Sequence, residues 1–200
     1  DYNGTEWHKS VGNTSPAIIY NDMIITGSAV GEEYDSYPGH IRAYDVRTGK
    51  LTWTFHTVPQ PGEPGYETWP PDAYKTAGGC NAWAGLSIDR KRGMLFIATG
   101  SPSFDFHGGE RQGRNLFGNC VIAINASTGK YIWHYQISHH DLWDYDLPAA
   151  PILVDIDHAG AEGDLRRAVA PDFGADRFAR IDRRGEAQIE AFQPRRIEAQ

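Results

Sequence analysis

Cysteine is nearly absent from this 200-residue chain, which holds only Cys80 and Cys120. Neither lies in a Cys-x-x-Cys pair, so a thiolate zinc site is unsupported; pairing in an oxidising compartment and two buried free thiols both stay open. Positive charge is also scarce, with 19 Lys and Arg against 26 Asp and Glu and a net charge of −7. That balance argues against nucleic acid as a partner, because such a partner needs a basic face, although an acidic balance is also ordinary for a soluble protein. No apolar run reaches the length of a membrane span, and none has the pattern of a signal peptide. The chain opens on Asp1 rather than Met, which leaves room for a leader upstream.

What the sequence has is glycine (22), proline (12), tyrosine (10) and tryptophan (6), set among short apolar runs. That profile predicts an all-β protein with many turns, not a helical bundle, and the length suits one domain. Four hairpins are predicted. "PAIIYNDMIITGS" turns at Asn21-Asp22, "HIRAYDVRTGKLTWTFH" at its Arg-Thr-Gly-Lys, "GLSIDRKRGMLFIATG" at Arg90 to Gly93, and "NCVIAINASTGKYIWHYQ" at its Thr-Gly-Lys. Between the second and third lies "TVPQPGEPGYETWPPDAYKTAGG", too rich in Pro and Gly for regular structure. An insertion of that length is usually functional or disordered.

Two of the hairpins are copies. "AYDVRTGKLTW" (Ala43 to Trp53) and "AINASTGKYIW" (Ala123 to Trp133) share Ala, an Asp or Asn two residues on, Thr-Gly-Lys and a closing Trp, at an offset of 80 residues. Asp45 and Asn125 can accept backbone N–H groups in the turn, and Gly49 and Gly129 supply a positive φ. The Trp can then lie across a neighbouring sheet. A repeated hairpin unit is the mark of a β-propeller or a related array.

The two copies resemble the tryptophan-docking motif of the quinoprotein alcohol and glucose dehydrogenases, from about Val11 to Asp155 and with motifs in the family's order. The resemblance implies an eight-bladed propeller carrying pyrroloquinoline quinone (PQQ) and a divalent metal on its axis. This chain is too short for eight blades and is expected to be an internal fragment, a partial β-propeller of about three blades.

The resemblance also assigns roles residue by residue. Trp83 in "GGCNAWAGLSID" matches the tryptophan on which PQQ stacks. Its small flanks, Ala82, Ala84 and Gly85, leave room for a flat ligand, although a Trp in such a setting also serves as blade packing. Trp53 and Trp133 are structural, and Trp69 stays undecided. "TGSAVGEE" ends the first hairpin, where the family supplies a metal carboxylate and a hydroxyl for PQQ. Glu32 is the first metal candidate and Glu33 the reserve; Ser28 is the matching hydroxyl and Thr14 a second cofactor candidate. A hard cation such as Ca²⁺ wants such oxygens, while adjacent acids also occur as plain solvated loop residues. In "ATGSPSFDF", Ser101 stands where many alcohol-oxidising relatives have a metal-binding Asn. That departure turns the resemblance toward the glucose-type branch and leaves Ser101 a metal candidate through its hydroxyl or carbonyl.

The stretch "SHHDLWDYDLP" (Ser138 to Pro148) crowds two His and three Asp into eleven residues. It resembles the segment carrying the family's catalytic aspartate, which falls on Asp144 as general base for a substrate hydroxyl. An extended backbone points Asp146 to the same side, as a support or an added metal ligand. In lanthanide-using methanol dehydrogenases an Asp at that offset binds the metal; glucose-type relatives carry it too, so Ca²⁺ or another divalent ion is expected before a lanthanide. His139 and His140 are expected to be hydrogen-bonded loop residues, and Asp141 to help orient the pair.

After Asp155 the composition changes. Residues 156–200 contain no Ser, Thr, Asn, Lys, Tyr or Trp. The family's next strand-rich blade, with its lysine near the cofactor, is not visible there. An out-of-frame or chimeric terminus accounts for the shift, a solvated charged segment is the alternative, and both predict a poorly packed tail with no cofactor ligand. The function implied is PQQ- and metal-dependent oxidation of a sugar or alcohol in the periplasm, glucose-type favoured. Electrons would pass to a quinone or cytochrome c, and a region outside this chain could tie the protein to the membrane. The competing reading is a non-catalytic β-propeller scaffold for binding or assembly, which has no need of Trp83 and Asp144 at these spacings.

Overall fold

The computed structural model describes residues 10–155, 166–169, 177–181 and 187–191, with side chains through residue 153. Among the described residues, fourteen strands form three four-stranded antiparallel sheets and one two-stranded ribbon. The ribbon pairs β1 (Val11–Gly12) with β4 (Ala29–Val30). The first sheet runs β2 (Ile18–Tyr20), β3 (Met23–Thr26), β5 (Ile41–Asp45) and β6 (Leu51–Phe55). The second runs β7 (Leu86–Asp89), β8 (Met94–Ala98), β9 (Cys120–Asn125) and β10 (Tyr131–Gln136). The third joins β11 (Ile152–Asp155) to β12 (Arg166–Val169), β13 (Arg177–Ile181) and β14 (Ala187–Ala191). All four predicted hairpins are present. The third sheet continues the meander into the segment whose composition predicts no further blade; how that segment's side chains pack lies outside the described residues.

The turns show why the repeat has its composition. Asp45 Oδ1 accepts the N–H groups of Arg47 and Thr48 at 3.1 and 2.8 Å, and the Thr48 hydroxyl at 2.8 Å. Those Thr48 bonds hold the Asp45 carboxyl below its ordinary range. Asn125 Oδ1 does the same work for Ser127 and Thr128 at 2.9 and 3.1 Å, so an amide replaces the carboxylate without loss of the turn. Gly49 and Gly129 both take φ +69 and donate to the carbonyls of Asp45 and Asn125 at 2.8 Å. The β7–β8 turn is a third example. Asp89 accepts from the N–H groups of Lys91 and Arg92, and Gly93 sits at φ +66.

Each docking tryptophan follows a β-bulge. Trp53 pairs with Ala43 but Leu51 with Tyr44, so Thr52 is the extra residue; Trp133 pairs with Ala123 but Tyr131 with Ile124, so Ile132 is. A bulge bends its strand and re-aims the side chain beside it. The Ala of the motif is thus the small cross-strand partner of the Trp. Trp53 reaches the second sheet's turn, where a Cβ on Gly129 would lie 2.6 Å from its ring. Trp133 is buried with Met94, Phe96 and Leu147, and Leu153 of β11 packs on that cluster. The sheet between them is covered on both faces. Leu95, Ile97, Ile122 and Ile124 meet the first sheet's Ile25, Ile41 and Phe55, while Phe96, Val121 and Ala123 face the other way. Fully burying one such side chain stabilises by roughly 1.5–3 kcal/mol, which makes this double-sided sheet the rigid centre of the chain.

The Pro- and Gly-rich insertion contains two short helical turns, Tyr66–Thr68 and α1 (Ala73–Thr76). Trp69 is buried with Val58, Ala73 and Cys80, and its Nε1 donates to the Leu116 carbonyl at 3.0 Å. The undecided tryptophan is therefore the insertion's own core. Both cysteines are free and buried, and burial pushes both thiols up. No helix among the described residues is long and apolar enough to cross a membrane.

Candidate active site

Loops from four places meet at one end of the sheets around a cavity of about 340 Å³. Thr14, Ala29, Gly31 and Glu32 come from the β1–β4 ribbon and its flanks, and Gly79, Asn81 and Trp83 from the end of the insertion. Ser101 and Asp105 follow β8, and Asp144 and Asp146 lie in the loop after β10. Six residues singled out in the sequence are thus brought together: Thr14, Glu32, Trp83, Ser101, Asp144 and Asp146. Two are not. Glu33 is exposed and does not line the cavity; Ser28 is buried, and its hydroxyl has no hydrogen-bond partner.

Asp146 is the strut of the site. Its Oδ2 accepts from Trp83 Nε1 at 2.6 Å and its Oδ1 from the Ser101 N–H at 2.6 Å. Gly100 makes room for it, since a Cβ there would lie 2.5 Å from Oδ1. Thr14 donates its hydroxyl to the Trp83 carbonyl at 2.9 Å, so the indole is held from both its ring and its backbone. The Ser101 hydroxyl is engaged away from the cavity: it donates to Asp141 Oδ2 and accepts from Asn119 Nδ2, each at 2.9 Å.

Asp144 sits in a left-handed turn at φ +57, not in an extended stretch. Its carboxyl is pushed up to about 6, first by burial and then by Asp146 and Glu32. Asp105 had no signal in the sequence beyond its place four residues after Ser101. It is 3% exposed and is pushed up to about 8 by burial, Asp144, Glu32 and Asp146, with Arg111 opposing. Asn81 is a second lining residue that loop sequence, without periodicity, did not reveal. The two histidines hold the loop: His140 Nδ1 lies 3.0 Å from the Gly113 carbonyl oxygen, and His139 Nε2 lies 3.2 Å from an Arg114 Nη.

Four carboxylates, Glu32, Asp105, Asp144 and Asp146, line one space, and burial first, then repulsion among them, raises Asp105 and Asp144. That surplus charge fits a hard cation. Among the described residues, no three acidic, His or Cys side chains converge into a formed metal centre. They ring the cavity instead. For a flat conjugated cofactor, the indole of Trp83 beside the small Ala29, Gly31 and Gly79 is a fitting wall.

Stacked antiparallel meanders whose strand-end loops converge on such a cavity define a partial β-propeller. Residues 2–170 match the family model described as "PQQ: Glucose/ethanol/alcohol dehydrogenase, beta-propeller domain". The chain belongs to this family of PQQ dehydrogenase propellers. It is 38% identical over 153 residues to quinoprotein glucose dehydrogenase A of Acinetobacter calcoaceticus, covering 72% of this chain and 18% of that protein. It is 38% identical over 173 residues to a quinate/shikimate dehydrogenase (quinone) of Acinetobacter baylyi, covering 85% and 21%. Among solved structures, the quinohemoprotein alcohol dehydrogenase of Comamonas testosteroni matches with a TM-score of 0.72 at 28% identity, over 96% of this chain and 30% of that one. The chain thus spans about a fifth of the length of these two curated relatives.

Proposed function

We propose that this chain is the cofactor-facing part of a PQQ- and divalent-metal-dependent dehydrogenase that oxidises a sugar or an alcohol. The observation that carries the reading is the meeting, in one cavity, of the Trp83 indole and a carboxyl raised to about 6 on Asp144. When bound, PQQ supplies a two-electron acceptor and a Ca²⁺ or similar ion supplies a Lewis acid. Trp83, Thr14 and Asn81 would hold the cofactor, with the buried Ser28 hydroxyl close in sequence to this wall. Glu32, Asp105 and Asp146 would give oxygens to the cation, with Glu33, outside the cavity, in reserve; the Ser101 hydroxyl is spent on Asp141 and its carbonyl accepts the Cys80 N–H at 2.8 Å, so Ser101 has only that carbonyl's second lone pair to offer.

Asp144 accepts the proton of the substrate hydroxyl as the carbinol carbon is oxidised. A carboxylate at its ordinary value is a poor base; one near 6 binds the proton more firmly yet is still largely ionised at neutral pH. Similarity to a glucose dehydrogenase and a quinate/shikimate dehydrogenase, together with Ser101 in place of Asn, supports a polyhydroxylated, glucose-type substrate. Electrons leave to a quinone or cytochrome c, and the setting is the periplasm. A scaffold has no use for four carboxylates gathered around one cavity beside the Trp83 indole, which disfavours the non-catalytic reading.

The test is dye reduction with aldoses and alcohols after loading with PQQ and Ca²⁺. Asp144→Asn should keep PQQ and lose on the order of 10²- to 10⁴-fold in turnover, the usual loss of a positioned base. Near-normal turnover at full PQQ occupancy sinks the assignment.

A further inference from the structure

Asp141 lies three residues before Asp144, is 3% exposed and does not line the cavity. Both of its carboxylate oxygens are nonetheless engaged. Oδ1 accepts from the Ser138 hydroxyl at 3.2 Å; Oδ2 accepts from the Ser101 hydroxyl and the Tyr145 N–H, each at 2.9 Å. Its carbonyl accepts from Arg111 Nη2 at 2.6 Å. Arg111 is itself buried and anchored on the Phe104 carbonyl and Asn115 Oδ1. Asn119 Nδ2 completes the tie by donating to the Tyr145 carbonyl and the Ser101 hydroxyl, each at 2.9 Å.

These bonds fall around Asp144. Both peptide groups of Tyr145, its immediate neighbour, are fixed: the N–H by Asp141 and the carbonyl by Asn119. A left-handed non-glycine residue is strained and persists only where the surroundings over-determine it. Here the over-determination is visible. Ser101 links the pieces, because its hydroxyl holds Asp141 while its N–H holds Asp146. A single residue in the loop after β8 therefore ties down both cavity carboxylates.

We propose that Asp141 is a positioning residue: its buried carboxylate ties the Ser138–Tyr145 loop to Ser101 and thereby aims Asp144 at the substrate hydroxyl. The role rests on the reading of Asp144 as the base. It depends on a carboxylate that takes three donors, and hydrogen bonds to an ionised acceptor are roughly twice as strong as neutral ones. Asp141→Asn keeps the shape but removes the charge from all three bonds, and its N–H₂ group can meet the Ser138 hydroxyl only if that hydroxyl turns its own proton away.

The experiment is a double-mutant cycle in the complete protein that contains this chain, loaded with PQQ and Ca²⁺. Asp141→Asn should lower kcat roughly 10- to 100-fold, the scale of an ångström-sized misplacement, with KM and PQQ absorbance within about twofold of the parent. In the Asp144→Asn background it should have no further effect, since Asp141 acts only through Asp144. Ser138→Ala, which removes the outermost bond without uncovering a buried charge, should give a smaller drop that also vanishes in that background. It keeps the cycle readable if Asp141→Asn does not fold. An equal drop in both backgrounds, or a normal kcat for Asp141→Asn beside an inactive Asp144→Asn, overturns the positioning role alone. Normal turnover of Asp144→Asn overturns the base reading whatever Asp141 does.

Discussion

At the scale of single residues the site is a problem in uncompensated charge, and Asp105 states it most plainly. Its carboxyl stands at about 8 against an ordinary 3.8, so the folded chain holds a proton that the unfolded chain releases. Stability from this group is therefore greatest in acid and declines as pH rises from about 4 to about 8. Asp144, at about 6, acts in the same direction over the lower part of that window. His40 acts oppositely: burial and His56 lower it to about 3, so its contribution is present above 6.5 and is lost as pH falls below that value. The signs conflict below pH 6.5 and are free of conflict between 6.5 and 8. Denaturation midpoints measured with chelator present should fall across that upper interval, and Asp105→Asn, which cannot ionise, should flatten the fall. An unchanged slope in the variant contradicts the raised carboxyl.

At the scale of elements, the two docking hairpins are alike in turn and bulge but differ in what lies against their glycines. Nothing described lies within 4 Å of a Cβ placed on Gly49, whereas one on Gly129 meets the Trp53 ring at 2.6 Å. Gly49→Ala should therefore cost only the left-handed backbone term, about 1–2 kcal/mol. Gly129→Ala should add the cost of overpacking, about 1–3 kcal/mol more. Urea unfolding of the two variants side by side reads the difference, and equal losses would show that Trp53 does not rest on that turn. Much of this level was legible in sequence, because an Asp or Asn four residues before a Gly is a local rule that Thr-Gly-Lys and Trp made conspicuous. The third such turn, Asp89 to Gly93, obeys the same rule and passed as a plain hairpin because it lacks both flags.

For the whole molecule, legibility declined with the distance between partners. Trp83, Asp144 and Asp146 were readable as candidates because motifs surround them. Asp105, Asn81 and the Asp141–Ser101 tie were not, because loops have no period and their neighbours come from other strands. Asp144 and Asp146 do share the cavity, yet through a left-handed turn rather than strand alternation. A cation bound among these carboxylates binds the folded state alone and must stabilise the molecule. Ca²⁺ at 100 times its dissociation constant adds about 2.7 kcal/mol. Thermal unfolding should shift upward with added Ca²⁺ and return with chelator, the shift being smaller in Glu32→Gln. A midpoint indifferent to Ca²⁺ argues against a divalent ion in this cavity.

The contact of Trp53 with Gly129 also has a direction in time. Gly129 follows Trp53 by 76 residues. At the roughly 5–20 residues per second of chain elongation, the indole leaves the ribosome about 4 to 15 seconds before the turn that receives it. Through that interval the first sheet carries an uncovered aromatic edge. Each blade of such a repeat is thus a client of the next one still being made, and a ribosome that stalls inside the second sheet leaves behind a sticky nascent chain.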